Sequence, residues 1–245
     1  MPIDNPWTGL RDLTAARIAL GRCGHSLPTR ELLAFQLAHA RARDAVHHRL
    51  DAQLLARTQT IRLKSAARDR ETYLRRPDLG RKLDAESANS LSRGEWDLVV
   101  AVVDGLSAIA VNRHAEPLLD TLAPLLEGTR IAPICIVEHG RVAIGDEIGE
   151  RVGAALALVL IGERPGLSSP DSLGAYLTWS PRVGRTDAER NCVSNIRIGG
   201  LEPALAAYRI AVLIRVALER RLTGVELNIN DLHLAVPPIE ADQRL

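Results

Sequence analysis

Aromatic residues are scarce in this sequence of 245 residues, which holds only three Trp, three Tyr and one Phe. Hydrophobic residues nevertheless make up 46% of the chain. A sizeable core can therefore form, and it must be built mainly from Ala, Leu, Val and Ile. The length suits one large domain or two modest ones.

Cysteine is rare as well, with Cys23, Cys135 and Cys192 far apart and no CxxC pair. This spacing indicates neither a zinc site nor a disulfide framework, and a reducing cytoplasm is the expected location. The adjacent His47 and His48 would point to different faces of a helix, so they cannot share a metal. We therefore predict no metal ligands.

The sequence lacks a long apolar segment. Its N-terminus has no basic-then-apolar signal pattern. The longest uncharged apolar stretch, Val152 to Gly162, is shorter than the about 20 residues that a bilayer requires. We expect a soluble cytoplasmic protein that does not contact a membrane.

An excess of one charge is also missing, since the net charge is +1, which argues against a dedicated nucleic-acid binder. The charge is nevertheless uneven. Residues 1–95 carry a net charge of +6 and the remainder carries −5. Such asymmetry is typical of surfaces that face different partners, although two ordinary solvated surfaces would have the same pattern.

Residues 1–95 are predicted to form a helical region. A short amphipathic stretch covers residues 10–20, a long helix runs from Pro28 to about Leu50, and a third helical region covers residues 52–74. In the long helix, apolar residues recur at spacings of three and four, which predicts one buried face: Leu32, Phe35, Ala38, Ala42 and Val46. A loop containing Pro77 and Gly80 follows.

Residues 96–245 have the pattern of a second, α/β domain. Apolar runs at 97–103, 131–137 and 156–161 alternate with helical patterns at 107–126 and 144–153. This order predicts parallel βαβ units, and continuous apolarity favours strands covered on both faces. A last helix is predicted from Pro203 to Gly224, before an extended tail. We therefore predict a Rossmann-like parallel sheet with helices on both faces, preceded by the helical N-terminal region.

Ligands of such sheets bind beyond the carboxyl ends of the strands. Three predicted loops lie there, at residues 104–107, 138–142 and 162–172, and we expect a fourth polar segment, 191–195, to join them. No GxGxxG motif follows a strand and no Walker A motif is present. A buried polar rim of this kind would suit a large ligand with many amides and a phosphate.

Two catalytic alternatives stay open on residue type alone. Cys192, His139 and Asp146 could serve a cysteine hydrolase as nucleophile, base and orienting group. Glu163 and Asp171 could act as an acid–base pair. An isolated cysteine is more often a small buried hydrophobe, and loop carboxylates more often cap turns.

Six short motifs, in order and with matching spacing between about Trp7 and Leu227, resemble the small subunit of ethanolamine ammonia-lyase. They are RRPDLGR at 75–81, DGLS at 104–107, GRVAI at 140–144, DEIGE at 146–150, GERPGL at 162–167 and RNCVSNI at 190–196.

The resemblance implies an adenosylcobalamin-dependent enzyme that converts ethanolamine to acetaldehyde and ammonia by a radical mechanism. In that family a large TIM-barrel subunit holds the substrate and the catalytic groups, within a higher-order hetero-oligomer. The small subunit covers the cofactor at the interface, with a helical N-terminal part packed on the large subunit. No catalytic residue is expected in this chain.

The resemblance also carries three cofactor contacts over to this sequence: Val142 of the GRV motif, Glu163 of the GERPG motif and Cys192 of the RNCVSNI motif. A carboxylate is a strong acceptor for the amide NH₂ groups at the corrin periphery. Val142 and Cys192 are expected to offer backbone polar groups and small apolar surface, and Cys192 is expected to pack and not to react.

The binding mode is expected to be base-on, with no protein ligand to cobalt from this chain. The DxHxxG motif of base-off cobalamin proteins is absent, because its nearest counterpart, Asp231-Leu232-His233, has Val236 at the glycine position. The N-terminal extension that directs some relatives to a bacterial microcompartment is also not seen. The tail from Ile229 has no assigned role.

Two further readings remain, a structural subunit that braces the large chain without touching corrin and an independent α/β oxidoreductase or hydrolase. The basic N-terminal half suggests an acidic patch on the partner, so assembly should weaken as salt rises.

Overall fold

The computed structural model describes residues 7–14, 16–51, 53–56 and 58–227. In that part of the chain, six strands form one sheet between two layers of helices. The tail expected to be extended, including the segment around His233, lies outside the described residues.

The regular elements alternate through most of the chain. The strands are β1 (Thr60–Lys64), β2 (Trp96–Val103), β3 (Ile134–Glu138), β4 (Ala154–Gly162), β5 (Leu173–Trp179) and β6 (Arg190–Ile196). The helices are α1 (Thr29–His47), α2 (Arg70–Arg75), α3 (Ala85–Ser90), α4 (Ala108–Leu122), α5 (Ile144–Val152) and α6 (Pro203–Arg220). Short 3-10 helices cover Thr8–Leu13, Leu79–Arg81, Ala123–Leu126, Asp187–Glu189 and Gly224–Glu226.

The sheet has the strand order β1-β3-β2-β4-β5-β6. The first four strands in this order are parallel, which confirms the prediction for β2, β3 and β4 and adds β1 to them. Strands β5 and β6 each run antiparallel to the preceding strand, so the sheet is mixed. The reason is the connection from Gly162 to Leu173, which holds no crossover helix, whereas a parallel pair needs a crossover of about a dozen residues or more.

Both faces of the central strands are covered, which confirms the α/β, Rossmann-like class. Alternate residues of β2 point to opposite sides: Leu98, Val100 and Val102 pack with α4 and α6, and Val99, Ala101 and Val103 pack with α5. The continuous apolar runs of the central strands therefore reflect burial on two faces.

The helical region predicted over residues 52–74 is wrong. It contains strand β1, which pairs in parallel with β3, and only the short helix α2. Within β1, Ile61 and Leu63 alternate with polar residues and pack on the α5 side of the sheet, the period of a strand. The division of the chain near residue 96 stays a prediction, although β1 precedes it and is an edge strand of the sheet.

The long helix predicted after Pro28 is confirmed as α1, but its predicted burial is wrong. Ala45 is the buried residue of α1, whereas Leu32, Phe35 and Leu37 are each more than 40% exposed. The helical spacing was correct, yet this chain supplies little for that apolar face to pack against.

Two predicted helix boundaries also differ. The stretch expected to be helical over residues 10–20 is a 3-10 helix that ends at Leu13. The last helix begins at Pro203 as predicted but ends at Arg220, because Arg221 adopts a left-handed conformation, and Gly224 instead begins a 3-10 helix.

Candidate functional site

Three loops meet at the carboxyl ends of the parallel strands, as predicted. The Gly140 amide after β3 donates to Asp104 after β2 at 3.1 Å. The Leu106 amide donates to the carbonyl of Gly162, at the end of β4, at 2.9 Å. The Ser107 hydroxyl donates to the Pro170 carbonyl at 2.8 Å. The loops therefore form one polar rim.

The fourth polar segment is placed differently from the prediction. Residues 191–195 lie within β6 and do not form a loop beyond a strand. In the antiparallel register Cys192 pairs with Tyr176 of β5, and Tyr176 pairs with Val159 of β4. Cys192 is thus in mid-strand, and only the end of β6 near Ile196 reaches the rim beside Leu173.

An open patch lies on the α5 side of β5 and β6. Helix α5 covers β4 at close range, because a side chain at Gly145 would collide with Val159. One strand further along, Tyr176 is only half-buried at the margin of the apolar cluster under α5, and Cys192 is exposed. We call the surface formed by Glu163, Gly174, Tyr176, Cys192 and Asn195 the open patch.

Glu163 is held firmly at the rim end of this patch. Its Oε2 accepts a hydrogen bond from the Ser172 hydroxyl at 2.5 Å and a longer one from the Asn195 amide at 3.4 Å. A Cβ atom on Gly174 would lie 2.8 Å from Oε1 of Glu163. The carboxylate therefore lies directly against the Gly174 backbone, in the space that a side chain would occupy. Any side chain at position 174 would displace it.

A β-bulge brings Asn195 to Glu163. Between the pairs Ala175–Val193 and Leu173–Ile196, β6 has one more residue than β5. Asn195 adopts a φ of 59°, which asparagine tolerates better than most residues. Bulges commonly redirect groups beside functional sites, and this one aims a backbone donor at the carboxylate.

The thiol and the phenol of the patch stay protonated near neutral pH. Desolvation raises the pKa of the Cys192 thiol, the nearby Glu163 charge raises it further, and a hydrogen bond with Tyr176 opposes the change. Desolvation likewise raises the pKa of Tyr176, with Cys192 and Glu163 adding to the effect. Glu163 and Cys192, both predicted from the sequence, are therefore brought together around Tyr176.

Val142 lies in the loop between β3 and α5, two residues before the helix begins. It is half-buried and packs against the same apolar cluster as Tyr176. Its carbonyl accepts the Gly145 amide at 3.1 Å. Among the described residues the Val142 N–H has no backbone acceptor.

The side chains of the cysteine-hydrolase alternative have separate partners. Asp146 forms a buried ion pair with Arg190 through bonds of 2.6 and 2.7 Å, and both side chains are at most 3% exposed. The His139 ring lies beside that of Tyr73, with centroids 6.1 Å apart and planes tilted by 32°, whereas Cys192 contacts Tyr176. This arrangement is not a nucleophile–base–orienter chain.

The acid–base alternative also lacks the required contact. Asp171 pairs with Arg113 at 2.7 Å and lies 3.7 Å from Nε2 of His114. Burial opposes the change, but the Arg113 and His114 contacts lower the pKa of Asp171. The Glu163 carboxylate instead accepts a hydrogen bond from the Ser172 hydroxyl. Within the described ranges, no group of three or more His, Cys, Asp or Glu is arranged to hold a metal ion.

A cavity of about 450 Å³ lies at the other end of the rim, near the ends of β2 and β3. Its lining includes Arg70 and Asp104, which pair at 3.3 Å, together with Arg68, Glu138 and His139. Burial raises the pKa of Asp104. The formal charges of the Arg, Asp and Glu side chains in this lining cancel, so their count indicates no particular ligand charge.

Sequence reasoning missed Ser172 and Gly174 as parts of the site. A glycine inside a strand signals that another group approaches the backbone closely, and Gly174 provided that signal. The contact of Ser172 with Glu163 carried no sequence signal, because it depends on how the loop between β4 and β5 closes.

The chain matches the family model described as ethanolamine ammonia-lyase light chain (EutC) over residues 4–228. It is 58% identical to the ethanolamine ammonia-lyase small subunit of Azotobacter vinelandii, over 91% of this chain and 88% of that protein. It is 55% identical to the small subunit of Ralstonia nicotianae, over 98% and 93%, and 53% identical to that of Pseudomonas aeruginosa, over 91% and 87%. In the described part of the chain, no helix is long and apolar enough to cross a membrane.

Proposed function

The chain belongs to the family of ethanolamine ammonia-lyase light chains, or small subunits, and from this we propose that its open patch and the adjoining rim bind adenosylcobalamin at the interface with the large subunit. As a member of that family the chain is one component of a lyase complex.

The observation that carries the proposal is the Glu163 carboxylate resting on Gly174, beside an uncovered sheet face. The corrin periphery ends in carboxamides, whose N–H groups need acceptors, and a carboxylate is a strong one. Cys192 and Tyr176 offer a small, uncharged surface next to it, because their raised pKa values keep both protonated. The N–H of Val142 can donate to an amide oxygen. These residue types fit cobalamin.

Adenosylcobalamin would supply the radical chemistry when bound. Glu163, Val142 and Cys192 orient and cover the cofactor, and the large subunit provides the substrate pocket and the catalytic groups. As the family resemblance implies, the cofactor would be bound base-on, without a cobalt ligand from this chain.

The partner is proposed to be a TIM-barrel large subunit within a higher-order hetero-oligomer. Large apolar side chains are exposed in the N-terminal part of this chain, including Trp7 at 64%, Leu13 at 80% and Leu33 at 58%. Exposed apolar groups concentrated in one region are typical of an interaction surface. We propose that they pack on the large subunit in the cytoplasm; residence in a microcompartment would then depend on the partner.

Glu163→Ala tests the cofactor site. In the reconstituted complex of both subunits, we expect cobalamin to bind at least about tenfold more weakly, because a charge-assisted hydrogen bond is lost. Equilibrium titration followed by absorbance measures the affinity, and Glu219→Ala on α6, outside the open patch, is the matched control.

An unchanged affinity in Glu163→Ala would favour the alternative of a bracing subunit that does not touch corrin. Turnover of ethanolamine by the purified small subunit alone would instead support an independent enzyme. Acetaldehyde production, assayed with each subunit alone and with both, separates these outcomes.

A further inference from the structure

Ser172 and Glu163 are linked by two hydrogen bonds across the ends of one loop. The Glu163 amide donates to the Ser172 carbonyl at 2.9 Å, and the Ser172 hydroxyl donates to Oε2 of Glu163 at 2.5 Å. Ser172 is only 6% exposed. The serine therefore fixes the carboxylate relative to the adjoining ends of β4 and β5.

The two carboxylate oxygens have different surroundings. The hydrogen bonds from Ser172 and Asn195 both end on Oε2. Among the described residues no donor reaches Oε1, which lies over the bare backbone of Gly174. Because Glu163 is half-buried at the margin of the open patch, Oε1 is the oxygen left to accept a hydrogen bond from a ligand.

We propose that Ser172 is a positioning residue that makes Glu163 a selector for corrin carboxamides over corrin carboxylates. This inference rests on the proposed cobalamin site. An ionised glutamate held in one orientation accepts a hydrogen bond from an amide N–H. A corrinoid carrying a carboxylate at that position would bring a second negative charge and no proton to donate. The protein would thus reject corrinoids whose amide at this position is not formed or has been hydrolysed.

Gly174 makes this selection possible by leaving room for the carboxylate. A methyl group at position 174 would lie 2.8 Å from Oε1 and 3.1 Å from Cγ of Glu163. It would move Glu163 away from the sheet without altering the charge of the site. Gly174→Ala is therefore a second, independent way to disturb the orientation.

The test uses the complex of both subunits and equilibrium titration with cobalamin and with each of its three propionamide-derived monocarboxylates. We expect the wild-type complex to bind one monocarboxylate at least about tenfold more weakly than cobalamin, a typical effect for a charged hydrogen-bonding group. Ser172→Ala should reduce this ratio to about twofold or threefold, because the carboxylate can then turn, and Gly174→Ala should also reduce it. Ser172→Thr, which keeps the hydroxyl, should restore it.

Ser90→Ala is the matched control, since Ser90 also donates its hydroxyl within the chain, to the Ser87 carbonyl at 2.8 Å, on helix α3 away from the patch. Thermal melting of each variant confirms folding.

Equal discrimination by folded Ser172→Ala and wild-type complexes would overturn the inference, as would equal binding of cobalamin and all three monocarboxylates by the wild type. If Glu163→Ala also leaves cobalamin affinity unchanged, the cofactor site itself is wrong; if it weakens binding while Ser172→Ala and Gly174→Ala retain discrimination, only the inference about Ser172 is wrong.

Discussion

Helices α1 and α6 have nearly equal lengths of 19 and 18 residues, but α1 buries one residue and α6 buries seven. The apolar side of α6 packs with α4 against the sheet. On α1, Leu32, Leu33 and Leu37 stay exposed. Two helices of similar length thus serve different purposes. The first leaves its apolar face exposed in this chain, and the second completes the core.

The ion pairs of the sheet region and of the N-terminal region also differ in burial. Arg190 and Asp146 are buried in the sheet region, at 2% and 3% exposure, whereas the side chains of Arg75 and Glu71 in the N-terminal region are 76% and 70% exposed. Arg190→Met should destabilise the isolated subunit by about 3–5 kcal/mol, because it leaves a buried carboxylate without its partner. Arg75→Met should cost at most about 0.5 kcal/mol. Urea unfolding measures both.

The cost of Arg190→Met should depend on pH. Burial raises the pKa of the Asp146 carboxyl. Without Arg190 the folded state holds that proton more tightly than the unfolded chain does, so the deficit should shrink as pH falls and grow as pH rises. A deficit that is constant with pH would mean that Asp146 is not the group left unpaired.

A pair of identical substitutions compares the helices directly. Leu213→Ala in α6 should lower the free energy of unfolding by about 3 kcal/mol, since Leu213 is 2% exposed and its loss leaves a cavity. Leu33→Ala in α1 should change it by less than about 0.5 kcal/mol, but should weaken binding to the large subunit. Equal losses of stability would show that α1 packs within the isolated chain after all.

Assembly at different salt concentrations gives the smallest expected effect. Residues 1–95 carry a net charge of +6, which favours an acidic patch on the partner. Raising salt should weaken the complex several-fold through screening, while the apolar contacts of α1 persist. A dissociation constant that does not change with salt, measured by sedimentation, would assign assembly to the apolar residues alone.

The central strands could be predicted because β2, β3 and β4 are apolar on both faces, a pattern that local sequence retains. Strand β1 was missed because it has only five residues, of which two are apolar, so its alternating pattern is too short to distinguish from a polar helix. Its pairing with β3 is a long-range contact, which local sequence does not indicate. The antiparallel direction of β5 could have been predicted, because the sequence between Gly162 and Leu173 is too short to hold the crossover helix that a parallel strand needs. At the site, Glu163 and Cys192 were predicted as cofactor contacts from the family resemblance, whereas their shared neighbour Tyr176 follows from strand register, which local sequence does not specify.

The amino-acid sequence by itself determined the family, the positions of most helices and strands and the polar loops at the rim, because these depend on residue type and local spacing. Tertiary structure decided which apolar faces are covered and which oxygen of Glu163 is left free. Those outcomes depend on strand direction, on one extra residue in β6 and on the backbone exposed at Gly174. Each of them arises only when distant segments pack together.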